Sequence, residues 1–120
     1  MSAFVSKWNG IALTLAIGLI HLIGVPEHFE VASYLGWLFV ANFLGSVVAA
    51  FGIYRGGQWG WLLGALIASA SFLLFLFSRT VGLPATHQEL VGHWSTFGIA
   101  SLIVEALFVA LYLSVTGSRR

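Results

Sequence analysis

The sequence predicts an all-α membrane fold, an antiparallel bundle of four transmembrane helices with both termini in the cytoplasm. Three observations predict it. The chain is 59% hydrophobic and 8% charged, with a mean hydropathy of +0.98, which leaves too little polar surface for a soluble monomer. Its 120 residues hold four apolar runs, each long enough to cross ~30 Å of hydrocarbon and each ended by glycine, proline or charge. Finally, Lys7, Arg55, Arg119 and Arg120 fall on one side of those runs and only Arg79 on the other. Short loops rich in lysine and arginine stay in the cytoplasm, so the termini and the Arg55 turn are expected there. The whole chain, 1–120, reads as one integral membrane domain.

The runs lie near residues 9–25, 34–54, 59–78 and 93–115. The first contains Thr14 and His21 and leads into "GVPEHFE" in place of a small-residue cleavage site, so it reads as a helix and not a signal peptide. Pro26 cannot continue that helix but suits the first turn of the next, where Glu27 complements the helix dipole. The second helix is therefore expected to begin with an interfacial turn at Pro26. The third run starts after "RGGQ" and ends at "SRTVGLP", where Gly82 can take positive φ and Pro84 stops regular structure. "FLLFLF", residues 72–77, is apolar all round, as a lipid-facing or partner-facing segment should be.

Small residues mark the packing faces, because association in lipid relies on close backbone approach. Gly10, Thr14 and Gly18 recur every four residues in the first helix, and Gly56, Gly60, Gly64 and Ala68 do so from the inner turn into the third. Gly45, Ala49 and Gly52 mark the second; Gly98, Ser101 and Glu105 share one face of the fourth. Ordinary packing among the four helices is the expected use of these stripes.

Several function classes fall away on composition. A net charge of +1 with no basic run offers nothing for nucleic acid to grip. With no cysteine there is no thiolate chemistry or iron–sulfur cluster, and with Met1 the sole methionine there is no thioether path for copper(I).

The polar residues gather on the outer side. His21, Glu27, His28 and Glu30 come from "HLIGVPEHFE" and His87, Glu89 and His93 from "HQELVGH", which together form an outward-facing collar. Imidazole and carboxylate suit a divalent metal, and His21 and His93, both expected at helix ends just inside the apolar boundary, would be the pair to clamp a haem. Against this stands the plainer reading, in which amphipathic side chains line an interface because their rings are apolar and their nitrogens want water. No ligand spacing decides between them, since His87 and His93 are off one helical face. Arg79 is expected either to reach a lipid phosphate or to pair with Glu27, Glu30 or Glu89. Glu105, the one acidic residue inside a spanning run, lies ~18 Å inward when counted from His93. An ionised carboxylate there would cost several kcal/mol without a partner, so a neutral acid in a polar layer with Thr14, Asn42, Ser69 and Ser71 is expected.

Taken together, "HL" closing the first helix, then "PEHFE", "RGGQWGWLLG" and "SRTVGLP", resemble small four-helix membrane proteins found in bacteria, a group with no established activity. The resemblance covers most of the chain and implies a bacterial inner-membrane protein with His21, Glu27, His28, Arg79 and Pro84 on the shared pattern. The function expected first is a non-catalytic accessory or scaffold subunit, packing in the bilayer with itself or with other membrane subunits. The alternative is an outer-face protein that binds haem or a divalent metal for electron transfer or transport.

Overall fold

Short polar side chains and glycines decide where each helix begins and ends. In the computed structural model, which describes residues 2–118, the chain is all helical: α1 (Ala3–Ile23), α2 (Val25–Val31), α3 (Ser33–Tyr54), α4 (Gln58–Thr80) and α5 (Thr96–Ser118). Four of these, α1, α3, α4 and α5, are long and apolar enough to cross a membrane. Met1, Arg119 and Arg120 lie outside the described residues, so two of the basic residues used for orientation carry no structural account.

α1 starts six residues before the apolar run at position 9, because Ser2 caps it: the Ser2 hydroxyl accepts from the Val5 N–H at 3.1 Å. Polar Lys7 is thereby inside the helix, its ammonium 5.0 Å from the Tyr54 ring and 5.7 Å from the Trp8 ring. This is a snorkelled cation held at aromatic faces at one end of the bundle. α5 starts at Thr96, three residues after His93, and again a serine sets the boundary: the Gly98 N–H donates to Ser95 Oγ at 3.0 Å. His93 therefore sits in the preceding turn and does not open the helix as the apolar onset had implied.

Pro26 and Glu27 occupy the first turn of α2 as expected, although that turn is a helix of its own, parted from α3 by extended Ala32 (φ −162°, ψ 137°). At the other end of α3, Gly56 takes φ +80°. The Gly56 N–H donates to Ile53 O at 3.0 Å and the Gly57 N–H to Gly52 O at 2.9 Å, which closes the orphan carbonyls in a Schellman motif. Gly82, past the end of α4, also takes positive φ, +100°.

α1 packs on α3 and α5, and α4 packs on α3 and α5, so the four long helices close a ring. The small-residue stripes lie inside it. A Cβ on Gly18 would meet Ser46 Cβ at 2.9 Å, and one on Gly64 would meet the Phe108 ring tip at 2.6 Å. The closest approach of backbone to backbone joins α3 and α4, where a Cβ on Gly60 would sit 2.5 Å from the Gly52 carbonyl carbon and 2.8 Å from Ala49 O. Across the ring, Trp61 of α4 lies against Gly10 of α1 and stacks on Phe108 of α5 at 5.7 Å. Ile17, Ile53, Ala65 and Ala68 complete a dry core around these rings.

Since backbone atoms cannot step aside as a flexible side chain can, Gly60→Ala should force α3 and α4 apart and cost about 1–3 kcal/mol by overpacking. Gly117→Ala, with nothing within 4 Å of its added Cβ, should be neutral. Unfolding of both variants in the same detergent measures the difference.

Candidate functional site

Away from the dry core, toward the ends of α1 and α4 that meet the 81–95 connection, bulky side chains replace the glycines between α3 and α4. A slot of about 260 Å³ remains there. Leu35, Leu38 and Phe39 form one wall, with Ile67, Leu74 and Phe75 opposite. Polar groups sit at two levels: Asn42 and Ser71 at one, His21, His28, Ser78 and Arg79 at the other.

Arg79 is the most constrained of these. Only 7% exposed, it turns inward and neither snorkels nor forms an ion pair; among the described residues no carboxylate lies within 4.0 Å of it. Its Nε donates to the His93 carbonyl at 2.8 Å and its Nη1 to Ser78 Oγ at 2.7 Å. The guanidinium carbon stands 4.2 Å from the Phe75 ring centroid, a flat cation on an aromatic face. The Arg79 carbonyl accepts from the Gly92 N–H at 2.8 Å, so one residue ties the 81–95 connection to α4 twice. Tyr34 makes a further tie, its hydroxyl donating to Pro84 O at 2.5 Å.

Both buried histidines hang from helical carbonyls four residues back, His21 Nδ1 on Ile17 O and His28 Nδ1 on Gly24 O, each at 2.8 Å. A carbonyl only accepts, so Nδ1 carries the hydrogen and Nε2 is the lone-pair nitrogen of each neutral ring. The two rings flank Phe39, His28 stacked at 3.7 Å and His21 tilted at 4.9 Å. Burial pushes the His28 pKa below its ordinary 6.5; the bond to Gly24 opposes this, the Arg79 charge adds to it and Glu27 opposes it.

His21 also faces Glu105, with Nε2 3.7 Å from Oε2. Ser101 Oγ donates to the same oxygen at 2.9 Å, while Oε1 is buried without a hydrogen-bond partner among the described residues. Because Nδ1 of His21 already holds its hydrogen, one further proton serves both groups, carried by the carboxyl or by the imidazole. The order Ser–Glu–His places the carboxylate in the middle, so Ser101 has no imidazole base beside it and the trio is not a nucleophilic triad.

The expected collar is thus divided. His21 and His28 turn inward, whereas Glu27, Glu30, His87, Glu89 and His93 are exposed. Among the described residues no three or more metal-ligating side chains come together. The expected polar layer is divided too: Asn42 Nδ2 donates to Ser71 Oγ at 2.7 Å and Asn42 Oδ1 accepts from Ser46 Oγ at 3.3 Å, joining α3 to α4 without touching Glu105. Thr14 satisfies itself on Gly10 O at 2.6 Å. Counted along each helix, His21 lies two residues from the end of α1, about 3 Å, and Glu105 nine residues into α5, about 14 Å, and the two long side chains meet in spite of that difference. No protein-family profile, characterised protein or solved structure matches the chain.

Two outcomes follow. Glu105→Leu strips Ser101 of its hydrogen-bond acceptor and His21 of the polar group it faces, and should cost about 0.5–1.5 kcal/mol in unfolding measurements, the net worth of one hydrogen bond. Glu105→Gln, which can still accept from Ser101 and fills the same space, should cost less. For His28, a folded pKa below the unfolded value means that the unfolded chain binds the proton more tightly. Its contribution is therefore complete above pH 6.5 and is lost as the pH falls through the lowered folded value. His28→Phe keeps the stacking on Phe39 and should flatten that part of a pH 7-to-5 melting series.

Proposed function

We propose that this is a non-catalytic accessory protein of the bacterial inner membrane, whose working part is the slot between α3 and α4 and whose cargo is a small lipid-soluble molecule. The four long helices run alternately across the bilayer, with both termini cytoplasmic and the 81–95 connection outside. Contacts that step in opposite directions along α3 and α4 support the alternation: Gly52 with Gly60, Gly45 with Ile67, Asn42 with Ser71. Lys7 and Arg55 at one end support the orientation. Lipid, or neighbouring subunits, covers the apolar outer faces.

The slot itself carries the reading. A protein that served only as a spacer would close it, since empty space in a helix bundle forfeits the packing contacts on which membrane proteins rely. Instead the walls are apolar, a few polar groups converge at one end, and Leu38 and Leu74 on the rim stay half exposed. That is the usual make-up of a small-molecule site.

One observation favours a second reading. His21 and His28 both line the slot with Nδ1 tied to a helical carbonyl, as metal-bound imidazoles usually are, although Nε2 of His21 faces Glu105 at 3.7 Å. A haem or a metal ion would use these two rings and add ligands of its own or of a partner, with His93 left to the turn.

Native mass spectrometry of the protein released from bilayers distinguishes the readings. The parent should carry a small organic adduct, and Ala70→Trp, which fills the slot from an exposed position, should come out bare. A parent with no adduct, or a variant that keeps it, rejects the slot. A Soret band or stoichiometric metal would replace the first reading with the second. A cytoplasm-only fluorescent reporter fused at Arg120 should glow, and a dark fusion with an active periplasmic reporter would reverse the orientation.

A further inference from the structure

Resting on the slot reading, we propose that its occupant is a single-chain amphiphile with a carboxylate head, the head bound by Arg79 and the chain lying between α3 and α4. Arg79 is 7% exposed and borders the slot. A guanidinium has five N–H donors, and the hydrogen bonds to His93 O and Ser78 Oγ use two of them. Glu27 on α2 favours the cation from a distance but forms no ion pair with it within 4.0 Å. A buried cation with donors in excess and no carboxylate beside it is short of one negative charge. Its fork matches a carboxylate in two parallel hydrogen bonds.

The rest of the slot selects what carries that charge. From Ser78 to Ile67 the α4 wall extends eleven residues, about 16 Å along the helix, and past Arg79 and the histidines its lining is Leu, Phe, Ile and Ala with Asn42 and Ser71. A volume of about 260 Å³ holds about nine water-sized groups at ~30 Å³ each, enough for one medium alkyl chain and too little for the two chains of a phospholipid. Asn42 Nδ2 donates to Ser71 Oγ, which ties these two groups to each other and makes them the one polar point along an otherwise apolar chain path. The half-exposed rim residues Leu38 and Leu74 leave an entry from the side, by which an amphiphile dissolved in the leaflet can arrive head outward.

The test uses the full chain in phosphatidylcholine nanodiscs with a decanoate analogue that carries a photoreactive diazirine. Labelling should map to the slot walls, at Leu74, Phe75 or Phe39. Unlabelled decanoate should compete at least about tenfold better than decanol at equal bilayer concentration, the preference that a charge-assisted bond confers. Arg79→Gln should erase that preference while decanol competes as before, and Ala70→Trp, with Arg79 intact, should lose labelling altogether. The comparison of decanoate with decanol on the parent decides the matter even if Arg79→Gln fails to fold. Equal competition by the two would overturn the carboxylate head and leave the slot standing. Competition by phosphatidylglycerol in place of decanoate would overturn it in favour of a phospholipid. Labelling that avoids the slot, or persists in Ala70→Trp, would overturn both the head and the slot.

Discussion

The contact between Gly52 and Gly60 is the constraint on which the rest of the arrangement depends. In lipid the hydrophobic effect does not press helices together, so two helices stay in contact only where their surfaces fit closely. With no side chain on either partner, the backbones of α3 and α4 touch, and the Schellman turn at Gly56 brings the chain back at the short range that such contact needs. Everything further along these two helices is a consequence of how they part. Gly45 against Ile67 is still close, and from Ile67 on, past the hydrogen bond that joins Asn42 and Ser71, leucine and phenylalanine hold the walls apart and the slot opens.

The two ends of the bundle therefore do different work. One is dry, held by Trp61, Phe108 and the small residues they pack against, and contains no titratable group in its core cluster. The other gathers buried polar side chains, each with a specific attachment: His21 and His28 to helical carbonyls, Arg79 to His93 O and Ser78, Ser101 to Glu105. A buried polar group is costly unless it is paired, so these attachments rigidify the end at which a ligand would be recognised. The left-handed Ala85, His87 and Gln88 in the connection above are a further cost, borne where Arg79, Tyr34 and Thr86 pin the backbone from below.

Arg79 is structural first, and in the proposed reading recognitive as well. Its backbone and Nε hold the connection in place, and its aromatic stacking fixes the plane of the guanidinium. Those bonds leave part of the fork unused, which is the part the proposed ligand would take. Glu105 is the counterpart on the far side of His21: it has one satisfied oxygen and one bare, and it borders a shallow groove with Ser69 and Leu73 between α4 and α5.

By itself the sequence determined the all-helical class, the four membrane-length helices, the turn at Pro26, the positive φ at Gly82 and the small-residue faces. Each of these follows from local chemistry: the length of an apolar run, a missing N–H, a missing Cβ. Residues that act through their own neighbours are legible in this way. The helix starts at Ser2 and Ser95 were legible in principle, as serine caps, but the onset of the apolar runs concealed them. What only the tertiary structure decided is which polar residues meet. His21 and Glu105 are distant in sequence and expected at different depths, and they meet because α1 packs on α5 and both side chains are long enough to reach across. Arg79 was expected to reach outward to a phosphate or a carboxylate and instead turns in onto Phe75 and His93, because a planar cation is held better by a ring and a carbonyl that the fold places together than by water. The collar broke apart for the same reason: proximity between side chains on different helices is set by the packing of the whole bundle, and no local pattern encodes it.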